Sequence, residues 1–144
     1  MDADALFELE PAEWSAPRVL TPHAGELARL IGKEAEWVDA HRLAGVRAAV
    51  DSYRCVVLLK GSDTLVSAPG EGVLVCSSGT PALATAGTGD VLPGVIGAFL
   101  AKGMDARLAA AAGAVAHGLA AELATQQVGM VASDLLDSLP DALA

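Results

Sequence analysis

The chain has 144 residues, of which 53% are hydrophobic and 19% charged, which fits one ordinary domain with enough apolar material for a core and argues against wholesale disorder. Nine basic against 18 acidic residues give a formal net charge of -9, which argues against binding nucleic acid or an anionic membrane, since both need a positive surface. A nucleotide site stays open, because backbone N–H groups and one or two local cations suffice to hold phosphate.

Asp2 to Pro17 shows no periodicity. Arg18 to Leu20 reads as a short strand that Thr21-Pro22 stops, and Gly25 to Ile31 as a helix closed by Gly32. Asp39 is placed to cap a longer helix running to about Tyr53, with Leu43, Val46 and Val50 on one line. The apolar, β-branched run Cys55-Val56-Val57-Leu58-Leu59 predicts a buried strand. Strand, helix and buried strand make a βαβ unit, hence a parallel pair with a right-handed crossover.

Thr64 to Ala68 and Val73 to Cys76 are short strands around the turn Pro69-Gly70-Glu71-Gly72. Ser77 to Gly89 is a loop rich in Gly, Ser, Thr and Pro. A helix is expected from near Asp90 to about Leu100, ended by Gly103, and another from Asp105 to about Gln127 with Leu108, Ala112, Val115, Leu119 and Leu123 as its apolar line. Ser133 is placed to cap a last helix through Leu139. The region from Leu108 to Leu123 is broken by Gly113, His117, Gly118 and Glu122, so it falls short of the roughly 18 unbroken apolar residues of a membrane helix. Met1-Asp2-Ala3-Asp4 lacks the apolar core of a secretory signal. The expectation is a soluble, cytoplasmic protein whose two cysteines, Cys55 and Cys76, are buried free thiols.

Three segments carry candidate chemistry. In Ala86-Gly87-Thr88-Gly89-Asp90, glycines precede a helix whose free N–H groups point back at the loop, which is the make-up of an anion site. Asp90 there either caps the helix or takes a proton from a hydroxyl attacking a phosphoryl group. In Leu59-Lys60-Gly61-Ser62-Asp63-Thr64, Lys60 ends a buried strand, where α/β ligands bind; it is one of three lysines and reads equally as a solvated turn residue. In Thr21-Pro22-His23-Ala24-Gly25-Glu26, His23 reads as a ligand contact or as a structural loop histidine, and Glu26 as orienting it or helping to hold a hydrated metal. His41 reads as solvated and His117 as packed. At the strand ends of a parallel sheet the three segments share one edge, and their convergence is the argument for a site.

Taken in order, these segments resemble the ADP/ATP-dependent NAD(P)H-hydrate dehydratases of the ribokinase-like superfamily, and Asp2-Ala3-Asp4-Ala5-Leu6 is similar to a motif that follows an earlier central strand in that family. The resemblance implies a three-layer α/β/α fold with a mostly parallel sheet, residues 1–144 forming one partial domain. It implies dehydration of the (S)-hydrate of NADH or NADPH, coupled to ADP or ATP hydrolysis with Mg2+. By the same resemblance Asp90 is the base on the hydrate hydroxyl, and Gly87, Thr88 and Gly89 form the anion hole and contact the nucleotide. Lys60, Gly61, Ser62, Asp63 and Thr64 bind the nucleotide, His23 touches the hydrate, and homo-oligomeric assembly is suggested. Family domains are nearly twice as long, so a C-terminal portion is expected, with one sheet edge left bare. Pro93 stands where the family usually has a small residue. Two other readings stand beside this one: a sugar or vitamin kinase of the same superfamily, and an inert nucleotide-binding fragment or assembly partner.

Overall fold

In the computed structural model, which describes residues 1–144, contacts divide the chain into Met1–Val75 and Cys76–Ala144. The first unit contains a 3-10 turn (Ala3–Leu6), β1 (Val19–Leu20), α1 (Ala24–Ile31), α2 (Ala35–Ala40), α3 (Arg42–Tyr53), β2 (Val56–Leu59), β3 (Thr64–Ser67) and β4 (Leu74–Cys76), whose last residue lies at the boundary. The sheet order is β1-β2-β3-β4. β2 is apolar on both faces and buried at every position, as a covered strand requires.

β1 and β2 pair in parallel, Val19 with Val56 and Leu20 with Val57, and α1 to α3 form the crossover expected of a βαβ unit. The core joins Leu20, Leu27, Val38, Val46, Val57 and Leu59 from these elements. The expectation of a mostly parallel sheet holds for β1 and β2 and gives way at β3, which runs antiparallel to β2 with Leu59 opposite Leu65. The residues between them, Lys60 to Asp63, allow only a tight reversal, whereas a parallel return needs a crossover of a dozen residues or more. The turn after β3 is closed by Glu71 N–H donating to the Ala68 carbonyl, with Gly70 at φ 76°.

The outer side of β1 is partly covered. The Met1 ammonium donates to the Val19 carbonyl at 2.7 Å and the Thr21 N–H donates to the Met1 carbonyl at 3.0 Å, one step of a parallel ladder. Burial holds that ammonium below its ordinary pKa.

The helix expected from Asp39 to Tyr53 is two helices, and Asp39 lies inside the first. The break falls at His41, at φ -131° and ψ 44°, whose N–H bonds the Trp37 and Val38 carbonyls while its ring stacks on Trp37 at 4.8 Å. The non-helical backbone at His41 ends α2 one residue before α3 starts.

The second unit contains a 3-10 turn (Pro81–Ala84), α4 (Thr88–Ala101), α5 (Ala106–Leu123) and α6 (Ala132–Ala142). α5 is capped by Asp105, whose carboxylate accepts from the N–H groups of Arg107 and Leu108. α6 starts at Ala132, with Asp134 Oδ2 accepting from Val131 N–H, rather than at a Ser133 cap. The apolar line expected for α5 is not its buried face: Leu108, Val115 and Leu123 are 55%, 40% and 53% exposed. The buried face is Ala109, Ala110, Gly113, Ala114, Ala116, His117, Gly118, Ala120 and Ala121. Small residues allow close approach there; a Cβ on Gly113 would lie 2.6 Å from Ile96 Cγ1. No helix is long and apolar enough to cross a membrane.

Candidate functional site

Within the first unit the structure brings together two of the three predicted segments. Because β1 and β2 are parallel neighbours, their C-terminal ends leave the sheet side by side, and Lys60 N–H donates to the Pro22 carbonyl at 2.9 Å, continuing the ladder past both strands.

His23 is the N-cap of α1. Its Nδ1 accepts from Gly25 N–H at 3.0 Å and Glu26 N–H at 3.3 Å, and Glu26 Oε2 accepts from His23 N–H at 2.8 Å, a reciprocal capping box. An accepting Nδ1 places the ring proton on Nε2, which lies 3.5 Å from Glu26 Oε1. The His23 side chain is nevertheless 55% exposed, so its outer edge is accessible to a ligand.

Lys60 Nζ lies 2.7 Å from Asp2 Oδ1 and 3.9 Å from Glu26 Oε2. Asp2 Oδ1 also accepts from the Thr21 hydroxyl at 2.7 Å. The lysine is thus a half-buried cation held by two carboxylates, and His23 and Lys60 share Glu26 as a neighbour. Gly61, Ser62 and Asp63 are exposed in the turn, and Thr64 opens β3.

Two contributors escaped the sequence reading. Asp2 entered only through its motif, and nothing in its local pattern foretells an ion pair 58 positions away. Arg42, at the start of α3, donates through Nη2 to the Asp63 carbonyl at 2.7 Å and the Lys60 and Leu59 carbonyls at 3.3 and 3.4 Å. It therefore ties down the turn that carries Lys60 to Asp63. Gly61 leaves room for it: a Cβ there would meet the guanidinium at 2.5–2.7 Å. That glycine beside Lys60 was the only available signal.

The third segment lies in the second unit. α4 begins two residues earlier than expected, at Thr88, with Gly87 as N-cap at φ 88°, a conformation that suits glycine. Asp90 is consequently the third residue of the helix and not its cap. Its carboxylate is exposed and enters none of the ion pairs. Thr88 is 1% exposed; its hydroxyl lies 2.7 Å from both the Leu83 and Thr85 carbonyls and its N–H donates to the Thr85 carbonyl at 3.4 Å, so the residue holds the turn from inside. A left-handed glycine, the helix N-terminus that follows it and the exposed Asp90 carboxylate thus stand together at the head of α4.

No group of three or more His, Cys, Asp or Glu side chains could hold a metal ion. Mg2+ carried on phosphates takes only one or two protein carboxylates and needs no such group. Cys55 is a free, buried thiol that burial pushes up to about 11, and Cys76 is free and half-buried rather than fully buried as expected.

The parallel strand pair, its crossover helices and the glycine loop opening α4 define a nucleotide-type α/β fold of the ribokinase-like class. A ribokinase-like superfamily protein from Enterococcus faecalis superposes with a TM-score of 0.77 and 28% identity, over 97% of this chain and 50% of its own. The ADP/ATP-dependent NAD(P)H-hydrate dehydratase from Bacillus subtilis, co-crystallized with ATP/Mg2+, superposes with a TM-score of 0.91 and 31% identity, over 99% and 52%. The bifunctional NAD(P)H-hydrate repair enzyme Nnr of Vibrio cholerae is 44% identical over 99% of this chain and 29% of its own length. The family model for NAD(P)H-hydrate dehydratase matches residues 1–142, and the chain belongs to that family. It spans about half the length of the Bacillus relative and under a third of the Vibrio one.

Proposed function

We propose that the protein takes part in repair of hydrated nicotinamide dinucleotides as an ADP- or ATP-dependent (S)-NAD(P)H-hydrate dehydratase. The observation that carries the reading is the family match over residues 1–142, which includes the loop Gly87-Thr88-Gly89-Asp90 at the head of α4.

In this reading the backbone N–H groups of Gly87 and Gly89 take the nucleotide's phosphate oxygens, with the helix dipole favouring the negative charge, and Thr88, whose N–H bonds the Thr85 carbonyl, holds the turn between them. Lys60 and the turn Gly61 to Thr64 are assigned to nucleotide binding by the family match. Mg2+ would be held on the nucleotide's phosphates and would supply charge neutralisation during phosphoryl transfer. Asp90 accepts the proton of the hydrate's ring hydroxyl as that oxygen attacks the terminal phosphorus, whose bond to the bridging oxygen breaks to release AMP from ADP or ADP from ATP. The phosphorylated carbon then loses its C–O bond to inorganic phosphate, and loss of a ring proton restores the double bond of NAD(P)H. His23 offers its exposed Nε2–H to the hydrate. The reading includes homo-oligomeric assembly and a cytoplasmic location.

The test is recovery of the reduced nicotinamide absorbance from NADHX or NADPHX in the presence of Mg-ADP or Mg-ATP. Asp90→Asn should lower the rate about 10²–10⁴-fold with nucleotide binding retained. Nucleotide consumption driven by a plain sugar or vitamin alcohol and indifferent to the hydrate would replace the reading with a kinase. Binding without turnover on either would leave an inert nucleotide-binding chain.

A further inference from the structure

We propose that His117 is a positioning residue for the Gly87-Thr88-Gly89 turn, acting from α5 through the Thr88 carbonyl. His117 is 8% exposed, and its Nε2 lies 2.8 Å from that carbonyl oxygen. A carbonyl only accepts, so the ring proton on this side is on Nε2.

The turn needs an outside anchor. Pro93 lies within α4 and has no N–H, so the Gly89 carbonyl, four residues back, lacks the donor a helix would supply. The first turn of α4 is thus one internal bond short at the motif itself. His117 bonds the carbonyl one residue before that of Gly89, the Thr88 carbonyl, while the Thr88 hydroxyl holds the preceding loop at the Leu83 and Thr85 carbonyls. Thr88 is thereby fixed on two sides.

α5 grips the same loop at its other end. Glu122 Oε1 accepts from Gly79 N–H at 2.7 Å. Gly118 lies flush against the chain there; a Cβ on it would fall 2.5 Å from the Ser78 carbonyl oxygen. His117, Gly118 and Glu122 thus form one surface of α5 that fixes both ends of the loop from Ser78 to Thr88. A histidine in an alanine-rich helix is therefore more than packing: it is the polar end of that surface.

The role of His117 rests on this geometry, and only its consequence for nucleotide rests on the proposed function. The test compares His117→Leu, His117→Gln and, as a control in the α6 part of the core, Leu135→Val. Two quantities are read: amide hydrogen exchange at Gly89 and Asp90, and affinity for Mg-ADP. His117→Leu should speed the exchange and weaken Mg-ADP binding, each about tenfold, the effect of losing one buried hydrogen bond. His117→Gln, with an amide N–H in the same reach, should restore both, and Leu135→Val should lower the melting temperature without moving either. Wild-type exchange in His117→Leu, or the same change in Leu135→Val, overturns the proposal. Should His117→Leu not fold, the ¹⁵N shifts of the wild-type ring decide: a neutral ring protonated on Nε2 supports the assignment, and one protonated on Nδ1 overturns it. If no form binds Mg-ADP, the nucleotide reading fails while exchange and tautomer still settle the part His117 plays.

Discussion

Replacing Arg42 with alanine should loosen the turn that presents Lys60. One nitrogen of its guanidinium serves three carbonyls, the shortest bond being 2.7 Å to Asp63 and the others 3.3 and 3.4 Å. A charged donor contributes about 1.5–3 kcal/mol per bond, but the two long bonds are weak and water reaches a half-exposed arginine. The loss should therefore be about 1.5 kcal/mol, which moves a urea midpoint by roughly 0.5–1 M. Arg42→Lys should recover less than half, because an ammonium lacks the planar fork. Gly61→Ala probes the contact from the other side, since its Cβ would meet the guanidinium at 2.5–2.7 Å. It should cost less in the Arg42→Ala background than in wild type, a measurable coupling. An Arg42→Ala chain with the wild-type midpoint, and a Gly61→Ala cost equal in both backgrounds, would refute the role assigned to Arg42.

Helical glycines should differ in sign: Gly97→Ala, with nothing within 4 Å, should stabilise by up to about 1 kcal/mol, while Gly118→Ala, 2.5 Å from the Ser78 carbonyl, should destabilise by about 1–3 kcal/mol, both read by urea unfolding. His23→Ala should cost about 1 kcal/mol through the lost cap, and His23→Asn should largely keep the stability, so a loss of hydrate turnover in His23→Asn isolates the ligand role. Cys76 should react with a thiol reagent at pH 8 while Cys55 stays protected until the pH nears 11, as mass mapping would show. With its folded pKa raised, Cys55 keeps its proton longer in the native state than in the unfolded chain. Its contribution to stability is therefore full below about pH 9 and is lost as the pH climbs toward 11.

What was legible in the sequence was whatever local pattern determines. The buried run Val56–Leu59, the turn at Gly70, and Gly87 ahead of α4 have chemistry that allows few other conformations. The parallel pairing of β1 and β2 followed from the strand-helix-strand order, and with it the meeting of the His23 and Lys60 segments. The break at His41 was not legible, because α2 and α3 share a continuous helical pattern and the departure is confined to one residue's backbone. The buried face of α5 was misread because hydropathy favours Leu108, Val115 and Leu123, whereas close approach selects its alanines and glycines. Asp2 and Arg42 act across 58 and 21 residues, distances at which spacing says nothing.

The most direct test of the central claim is thermal unfolding of the 144-residue chain with and without Mg-ADP, in wild type and in Asp90→Asn. A nucleotide at about 100 times its Kd stabilises by roughly 2.7 kcal/mol, which for this size raises the midpoint by roughly 10 °C. The account predicts that rise in both proteins, since Asp90 is assigned to the hydroxyl and not to the nucleotide. A cooperative transition that Mg-ADP and Mg-ATP leave unmoved in wild type would contradict it.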